Sequence, residues 1–265
     1  MSTLRSLYAW TAIITMIVLW LPVMAVSWLL DRDPARYRTG YLFRRLGAAM
    51  ARTSPSWELH STGFIPENPR LPYVVVANHQ SMADIPLIST LPWEMKWVAK
   101  ASLFKLPVAG WMLRLAGDIP VDRSNPASRA DVLVRARQIL DHKCSVMMMP
   151  EGTRTRDGRL KAFHDGAFKL AIEAGVPVLP IAIDGTANAL PKHGWKIGEV
   201  RCRLHVLHPI PTHDLTPQDA SRLREHVRTL IAAHIAAWRE VPVDAVLGDP
   251  HRSRAEPSMP TAPVG

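Results

Sequence analysis

Short apolar stretches alternate along this chain with stretches whose apolar residues recur at helical spacing. Residues 73–77, 144–149, 176–183 and 200–208 are rich in valine, isoleucine, leucine or methionine and are followed by turn-forming or polar residues. Their lengths and composition predict four strands. The alternation of polar and apolar positions in the last of them is weak, which predicts that both of its faces are buried.

Helical patterns lie between and after these strands. The predicted helices cover residues 128–142, 165–174 and 216–239. Ser128 opens a pattern that resembles a capping box, Gly175 is a typical helix stop, and Pro217 fits the first turn of a helix. Strands that alternate with helices predict an α/β fold, in which helices sandwich a mainly parallel sheet.

Residues 7–30 form an apolar run without a charged side chain. As a helix this run would be about 36 Å long at about 1.5 Å per residue, enough to cross a hydrocarbon core about 30 Å thick. A secretory signal usually has a shorter apolar core of about 7–15 residues, so the segment is expected to be retained. Pro22 leaves two arrangements open, a membrane helix or a kinked two-helix membrane element that enters one leaflet and returns.

Arginines are more frequent after this run than before it. Arg5 precedes the run, and the arginines that follow are Arg32, Arg36, Arg38, Arg44, Arg45 and Arg52. Because positive residues stay on the cytoplasmic side of a membrane, the rest of the chain is expected to face the cytoplasm. Residues 37–50 mix these arginines with apolar side chains. This pattern fits a helix lying on an anionic membrane surface and equally an amphipathic helix packed on the domain.

Three regions follow from these patterns. Residues 1–55 are the membrane-anchoring segment and amphipathic helix, residues 56–248 are the α/β domain, and residues 249–265, rich in proline, serine and charge, are expected to be disordered. A formal net charge of +9 suits nucleic acid or anionic lipid. No nucleic-acid motif is found, and the apolar N-terminus favours lipid. The two cysteines have no close spacing and are expected to be reduced.

The first candidate for chemistry is the sequence Asn-His-Gln-Ser-Met-Ala-Asp at residues 78–84, directly after the first predicted strand. His79 can take a proton from a hydroxyl near neutral pH, and Asp84 can fix its tautomer and stabilise the imidazolium. The chain has no serine or cysteine in a recognisable nucleophile motif, which indicates that the substrate supplies the nucleophile. The alternative is a structural histidine beside a helix-capping aspartate.

The second candidate is the sequence Met-Pro-Glu-Gly-Thr-Arg at residues 149–154, directly after the second predicted strand. Glycine lets the backbone turn tightly and approach a ligand. Arg154 offers a fixed fork of donors that suits phosphate. Taken alone, this sequence is equally consistent with a polar turn.

Two further blocks complete an ordered pattern: residues 117–123, Gly-Asp-Ile-Pro-Val-Asp-Arg, and residues 176–180, Val-Pro-Val-Leu-Pro. Together the four blocks resemble the 1-acyl-sn-glycerol-3-phosphate acyltransferase (lysophosphatidic acid acyltransferase) family, in its bacterial type. The chain departs from the family pattern at Met149, where phenylalanine is usual. The resemblance implies a glycerolipid-acyltransferase-like fold and a location at the cell inner membrane.

The resemblance also implies a reaction, the transfer of a fatty acyl group from a thioester to the sn-2 hydroxyl of 1-acyl-sn-glycerol-3-phosphate, giving phosphatidic acid for phospholipid biosynthesis. His79 is then the general base and Asp84 orients it. The substrate-binding candidates are Glu151, Gly152, Thr153, Arg154, Arg123 and Lys100. The alternatives are a salt bridge to Asp122 or a helix-end charge for Arg123, and a solvated surface side chain for Lys100. Glu151 is expected to hold Arg154 or a neighbouring backbone N–H.

The expected partners are a lysophospholipid acceptor, an acyl-CoA or acyl-carrier protein donor, and an anionic membrane surface; nucleic acid is not expected. No cofactor is implied. No metal site is expected, since His205 and His208 on one strand would point to opposite faces. Two other functions stay open: an acyltransferase for a different lysolipid, such as a lyso-ornithine lipid, and a lipid-surface binding protein without turnover.

Overall fold

A computed structural model of the chain describes residues 3–54, 56–155, 157–190 and 195–248. The predicted disordered tail, residues 249–265, lies outside the described residues. Within them, helices pack on both sides of a seven-stranded sheet with the order β1-β7-β6-β2-β5-β3-β4. The strands are β1 (Trp57–Gly63), β2 (Val74–Ala77), β3 (Met95–Lys100), β4 (Ile119–Val121), β5 (Ser145–Met148), β6 (Val178–Asp184) and β7 (Val200–Val206).

The sheet is mainly parallel. Every neighbouring pair runs parallel except β6 with β7, so the predicted fold class is confirmed. The helices are α1 (Thr3–Leu30), α2 (Tyr37–Thr53), α3 (Asp84–Ile88), α4 (Ala109–Leu115), α5 (Pro126–Asp141), α6 (Gly166–Ala174), α7 (Ala220–Arg239) and α8 (Val243–Val246).

The alternating side chains of β2 show how the two layers form. Val74 and Val76 face one core with residues of α5, α6 and α7. Val75 and Ala77 face a second core that includes α3. Because successive side chains of a strand point to opposite faces, a strand covered on both sides must be apolar throughout, as β2 is.

All four predicted strands are present, with ends that differ by one or two residues. The prediction that both faces of the last strand are buried is wrong. In β7, Cys202, Leu204 and Val206 are buried, whereas Arg203 and His205 between them are half-buried and Arg201 is exposed. The physical reason is position, since β7 lies beside the edge strand β1. Its second face is covered by polar contacts such as the stacking of His205 on His234.

The capping residue predicted for α5 is wrong. The side chain of Asn125 accepts hydrogen bonds from the backbone N–H groups of Ala127 and Ser128, at 2.9 and 3.4 Å. The helix begins one residue later at Pro126, whose fixed φ suits a first turn. Ser128 instead accepts a bond from the backbone of Asp122 at 3.0 Å.

The other two helix ends follow the sequence signals closely. Gly175 ends α6 with a φ of 65°, the left-handed conformation that glycine adopts at low cost. Thr216 and Asp219 form a capping box that opens a short 3₁₀ turn, Pro217–Asp219, and α7 continues directly from it. Both predictions rest on local chemistry and are confirmed.

Helix α1 is unbroken at Pro22, so the kinked two-helix alternative is wrong for residues 7–30. By length and composition it is the one described helix that could cross a membrane. Near its start, Ser6 accepts a hydrogen bond from the backbone N–H of Ile197 at 3.1 Å. Towards its end, Met24 is buried against Leu46 of α2 and Met112 of α4. Both ends of α1 therefore contact the same domain.

Helix α2 is packed on the domain, one of the two arrangements that the sequence left open. The guanidinium of Arg44 is buried against Asp118, 2.5 Å away, and Glu94, 3.5 Å away. Lys96 completes this buried cluster by donating to Glu94 at 2.9 Å. Because none of these charges has access to water, each needs the opposite charges beside it. The division between the first two regions, at residues 55–56, stays a prediction.

Candidate active site

The separate sequence motifs meet at one edge of the sheet. Strands β6, β2, β5, β3 and β4 are parallel, so their carboxyl ends lie at the same edge, a common place for ligand sites in α/β folds. Four predicted elements of the site follow these ends: His79 after β2, residues 149–154 after β5, Lys100 at the end of β3 and Arg123 after β4. The topology thus gathers residues that are far apart in the sequence.

His79 and Asp84 are in direct contact. Nδ1 of His79 lies 2.7 Å from Oδ2 of Asp84, and that oxygen also accepts the backbone N–H groups of Gln80 at 2.8 Å and Ser81 at 3.0 Å. These donors identify Oδ2 as an ionised acceptor, so Nδ1 carries the proton that it shares. In the neutral ring Nε2 then has a free lone pair, which can accept a proton.

The burial of the pair fits this arrangement. Asp84 has no exposed surface, whereas the side chain of His79 is 12% exposed. Within the part of the chain that the structure describes, Nε2 of His79 has no hydrogen-bond partner. The alternative of a helix-capping aspartate is not found. Asp84 is the first residue of α3, the N-cap position is Ala83, and the helix has no side-chain cap bond.

Glu151 fixes the backbone of His79. One carboxylate oxygen accepts the N–H of His79 at 2.7 Å, and the other accepts the N–H of Lys161 at 3.0 Å. The carbonyl of His79 accepts the N–H of Thr155 at 2.9 Å. Glu151 therefore holds backbone N–H groups, one of its two expected roles, and its oxygens make no bond to Arg154 in the described residues.

Burial dominates the electrostatics of Glu151. Because its carboxylate is removed from water, its pKa rises to about 7, against the effect of the two backbone hydrogen bonds. The ionised carboxylate offers two strong acceptors to these N–H groups, whereas in the protonated carboxyl one oxygen carries the proton and accepts only weakly. The geometry around His79 is thus linked to a proton that titrates near neutrality.

The three predicted cations lie along the same edge. Arg154 is half-buried, and Lys100 and Arg123 are exposed; within the described residues none of them has a carboxylate in ion-pair range. With strands about 4.8 Å apart, Lys100 and Arg123 lie roughly 10 and 14 Å along the edge from β2. An acidic group that enters beside His79 therefore meets positive charge on one side.

The surroundings of Asp122 bear on the alternatives given for Arg123 and Lys100. Its carboxylate accepts the backbone N–H and the hydroxyl of Ser124, at 3.0 and 2.6 Å, so the salt bridge to Arg123 is not formed. Those bonds lower the pKa of Asp122, helped by the charges of Lys100 and Lys105. Lys100 thus lies near the residue that precedes Arg123.

The loop of residues 149–154 turns as its glycine predicts. Gly152 has a φ of 72°, in the left-handed region. Thr153 is exposed, and its side chain makes no hydrogen bond to the described residues. Gly152 and Thr153 therefore lie at the surface of this edge, while the carboxylate of Glu151 is turned inward.

Two amide side chains were missed by the sequence interpretation although both lie inside residues 78–84. Asn78 donates to the carbonyl of Ile183 at 2.9 Å and accepts its N–H at 2.8 Å, which extends the pairing of β2 with β6. Gln80 donates to Asp184 at 3.1 Å. A buried amide directly after a strand is a signal for such backbone pairing, because it must satisfy both of its polar groups.

Known proteins are similar to the part of the chain that carries these residues. Residues 58–184 match the family model described as Acyltransferase, which defines the class of this domain. The chain is 35% identical over 178 residues to 1-acyl-sn-glycerol-3-phosphate acyltransferase alpha of Homo sapiens, covering 66% of this chain and 62% of that protein. It is 40% identical over 137 residues to 1-acyl-sn-glycerol-3-phosphate acyltransferase BAT2, chloroplastic, of Brassica napus, covering 51% of this chain and 40% of the relative.

A solved structure is similar over most of its length. The crystal structure of the 1-acyl-sn-glycerophosphate (LPA) acyltransferase PlsC from Thermotoga maritima superposes with a TM-score of 0.74, at 26% identity, covering 89% of this chain and 95% of that one. The chain is therefore similar to 1-acyl-sn-glycerol-3-phosphate acyltransferases in both sequence and fold, so the resemblance drawn from the four blocks is confirmed. It spans 40% and 62% of the two curated relatives named above.

Proposed function

We propose that the protein is a membrane-bound 1-acylglycerol-3-phosphate O-acyltransferase, which transfers a fatty acyl group from an acyl thioester to the sn-2 hydroxyl of 1-acyl-sn-glycerol-3-phosphate. The observation that carries the proposal is the 2.7 Å contact between Nδ1 of His79 and Asp84. It leaves Nε2 able to take a proton at an edge of the sheet that also carries three cations. The product is phosphatidic acid, a precursor in phospholipid biosynthesis.

The reaction needs no covalent enzyme intermediate. Nε2 of His79 takes the proton of the acceptor hydroxyl while the hydroxyl oxygen attacks the thioester carbon. The tetrahedral intermediate then expels the thiolate by cleavage of the carbon–sulfur bond, and the proton passes from His79 to the leaving sulfur. Asp84 stabilises the imidazolium between these two steps. General-base assistance of this kind supplies about a hundredfold to ten-thousandfold in rate.

The cations hold the phosphate of the acceptor. Arg154 directly precedes Thr155, whose backbone N–H donates to the carbonyl of His79 at 2.9 Å, so the backbone of Arg154 lies close to His79. Its planar fork can donate two hydrogen bonds to one phosphate. Lys100 and Arg123 add positive charge farther along, and Gly152 and Thr153 form the surface of the loop between. Glu151 acts on this site through the backbone of His79.

Arg154→Ala is expected to raise the KM for the lysophosphatidic acid acceptor about tenfold, because one charge-assisted bond to phosphate contributes about 1.5–3 kcal/mol and part of it is screened by water. The KM for the acyl donor should stay within about twofold. Steady-state kinetics with each substrate varied in turn make the test. Arg135→Ala, which removes an exposed arginine of α5 paired with Asp131, is the matched control. A change confined to the donor KM would refute this role.

The acyl-transfer assay tests the function as a whole. Purified, detergent-solubilised protein is given lysophosphatidic acid or a lyso-ornithine lipid, each with acyl-CoA or acyl-carrier protein as donor. Product from lysophosphatidic acid supports the proposed acceptor. Product from the lyso-ornithine lipid alone keeps the mechanism and replaces the acceptor. No product with any pair of substrates would leave a lipid-binding protein without turnover as the better description.

The membrane location is part of the proposal. The outward side of α1 carries exposed apolar residues along its whole length: Leu4, Leu7, Ile14, Val18, Leu19, Val23, Val26, Leu29 and Leu30. Since both ends of α1 contact the domain, we place this side in one leaflet of the cell inner membrane, with the domain on the cytoplasmic, arginine-rich side.

Membrane washing distinguishes this arrangement from attachment by charge. The protein is expected to stay with the membrane fraction in high salt, because apolar contact is not screened as surface charge is. Replacing Leu7, Ile14 and Val18 together with serine should release most of it. Release of the unaltered protein by salt alone would contradict the arrangement.

A further inference from the structure

The carboxylate of Asp84 has a second partner besides His79. Oδ2 accepts His79 Nδ1 and the backbone N–H groups of Gln80 and Ser81. The other oxygen, Oδ1, accepts a hydrogen bond from the hydroxyl of Thr186. Among the described residues no other group donates to Oδ1. Every oxygen of this buried carboxylate is thereby satisfied, as a buried charge requires.

Thr186 lies outside all four sequence blocks. It comes two residues after the end of β6 and two residues beyond the segment that matches the acyltransferase family model. Its residue surface is fully buried. The turn that delivers it is fixed by Gly185, which has a φ of 86° and whose missing side chain would otherwise meet the carbonyl of Arg201. The carbonyl of Thr186 accepts the N–H of Ala189 at 2.9 Å.

The direction of the hydroxyl bond follows from its neighbours. Besides Asp84, the hydroxyl of Thr186 lies 3.3 Å from Oε1 of Gln80. The amide of Gln80 must turn its Nε2 towards the carboxylate of Asp184, at 3.1 Å, which leaves Oε1 facing Thr186. Both neighbours of the hydroxyl are therefore acceptors. The single proton goes to the ionised one, Asp84, since charged acceptors form the stronger bond.

We propose that Thr186 is a positioning residue for acyl transfer. The torsion of a carboxylate is soft by itself, and the bond to Oδ1 completes the set of bonds that fixes it for Asp84. It thereby helps to fix the orientation of the His79 ring and the direction of Nε2. Thr186 touches neither substrate and acts through Asp84. This inference rests on the proposed roles of His79 and Asp84.

Thr186→Val tests it, because valine has nearly the same shape and lacks only the hydroxyl. We expect kcat to fall about tenfold, a part of the hundredfold or more that a general base supplies, with the KM of both substrates within about twofold. Thr186→Ser keeps the hydroxyl and should retain kcat within about twofold. A serine variant as impaired as the valine variant would overturn the proposal.

The pH profile separates positioning from a general loss of stability. In Thr186→Val the acidic limb of kcat/KM should move to higher pH. An oxygen of Asp84 without its donor carries more negative charge beside the imidazole and so favours the protonated, inactive ring. A purely structural defect would lower kcat/KM equally at every pH and overturn the proposal.

Thr212→Val is the matched control. Thr212 is also buried, and its hydroxyl donates to the carbonyl of Val176 at 2.9 Å, at the opposite end of β6. It should lower the thermal stability and leave kcat and the pH profile unchanged. Should Thr186→Val fail to fold, the same comparison is made with Thr186→Ala.

The assay also separates the proposed function from the role of Thr186. Wild-type protein that transfers no acyl group would overturn the proposed function and this inference together. Wild-type protein that turns over while Thr186→Val has the wild-type kcat and pH profile would overturn the role of Thr186 alone.

Discussion

Replacing His79 with alanine is expected to lower kcat/KM for acyl transfer by about a hundredfold to ten-thousandfold, the usual contribution of a general base. The side chain is 12% exposed and makes one side-chain hydrogen bond, to Asp84, in the described residues. Its removal should therefore cost little stability. Initial rates across both substrate concentrations, on protein whose unfolding temperature is measured in the same detergent, give the result.

The partner of His79 provides a second measurement. Asp84→Asn would present an amide where Nδ1 needs an acceptor, which favours the wrong tautomer, and should reduce kcat/KM nearly as far. Because the two side chains act as a unit, the double variant should be no slower than His79→Ala. His226→Ala, which removes an exposed histidine of α7, is the control. Turnover of His79→Ala close to that of the control would remove His79 from the mechanism.

The sequence reveals this pair because its chemistry is local. His79 and Asp84 lie five residues apart on one loop, and the loop follows a strand that reads clearly as apolar. The contacts that hold the pair are not local. Glu151 is 72 residues from His79, and Thr186 is 102 residues from Asp84. They meet only because β2, β5 and β6 are neighbours in the sheet. The pattern of the sequence does not reveal this strand order.

The strands that the sequence did not predict each lack an apolar run for a physical reason. β1 is an edge strand with mostly exposed side chains. β4 is a three-residue edge strand with Pro120 at its centre, a position that proline tolerates only at edges. β3 contains Lys96, which is fully buried because Glu94 and the carbonyl of Ala116 accept its bonds. A buried lysine is recognisable only once its partners are in place.

The arginines after the apolar run show the same limit. Arg44 and Arg45 are adjacent and look equivalent in the sequence, yet Arg44 is buried against Asp118 and Arg45 is exposed. Helical geometry separates neighbouring positions by about 100°, but which of them faces the domain depends on where the acidic partners lie. A count of positive residues therefore overstates how many can meet a membrane.

Replacing Glu151 with glutamine is expected to lower kcat/KM about a hundredfold. The carboxylate of Glu151 accepts two backbone N–H groups, from His79 and Lys161. Glutamine keeps one acceptor and sets an NH₂ group against the other N–H, and an unsatisfied buried donor costs about 1–3 kcal/mol. The loss of this hydrogen bonding disturbs the backbone of His79 itself. Glu173→Gln, on the exposed side of α6, is the control and should keep wild-type kinetics.

The free energy of unfolding should also depend on pH through the carboxyl group of Glu151. The pKa of Glu151 is raised from 4.5 to about 7 in the folded state, so the folded protein keeps a proton that the unfolded chain loses. The free energy of unfolding contributed by this group is therefore full below about pH 4.5 and is lost as the pH rises through about 7. Glu151→Gln should lack this slope, which denaturant titrations at pH 5 and pH 8 can measure.

Activity should increase as the pH rises, in the opposite direction to the stability that Glu151 contributes. Turnover needs His79 without its acquired proton and Glu151 ionised, so that both backbone bonds form. On the acid side, the logarithm of kcat/KM in the wild type should therefore rise with a slope that approaches two per pH unit. In Glu151→Gln one of these protons is absent, and the slope should fall to one. Equal slopes in both proteins would show that Glu151 supports the site without its charge taking part.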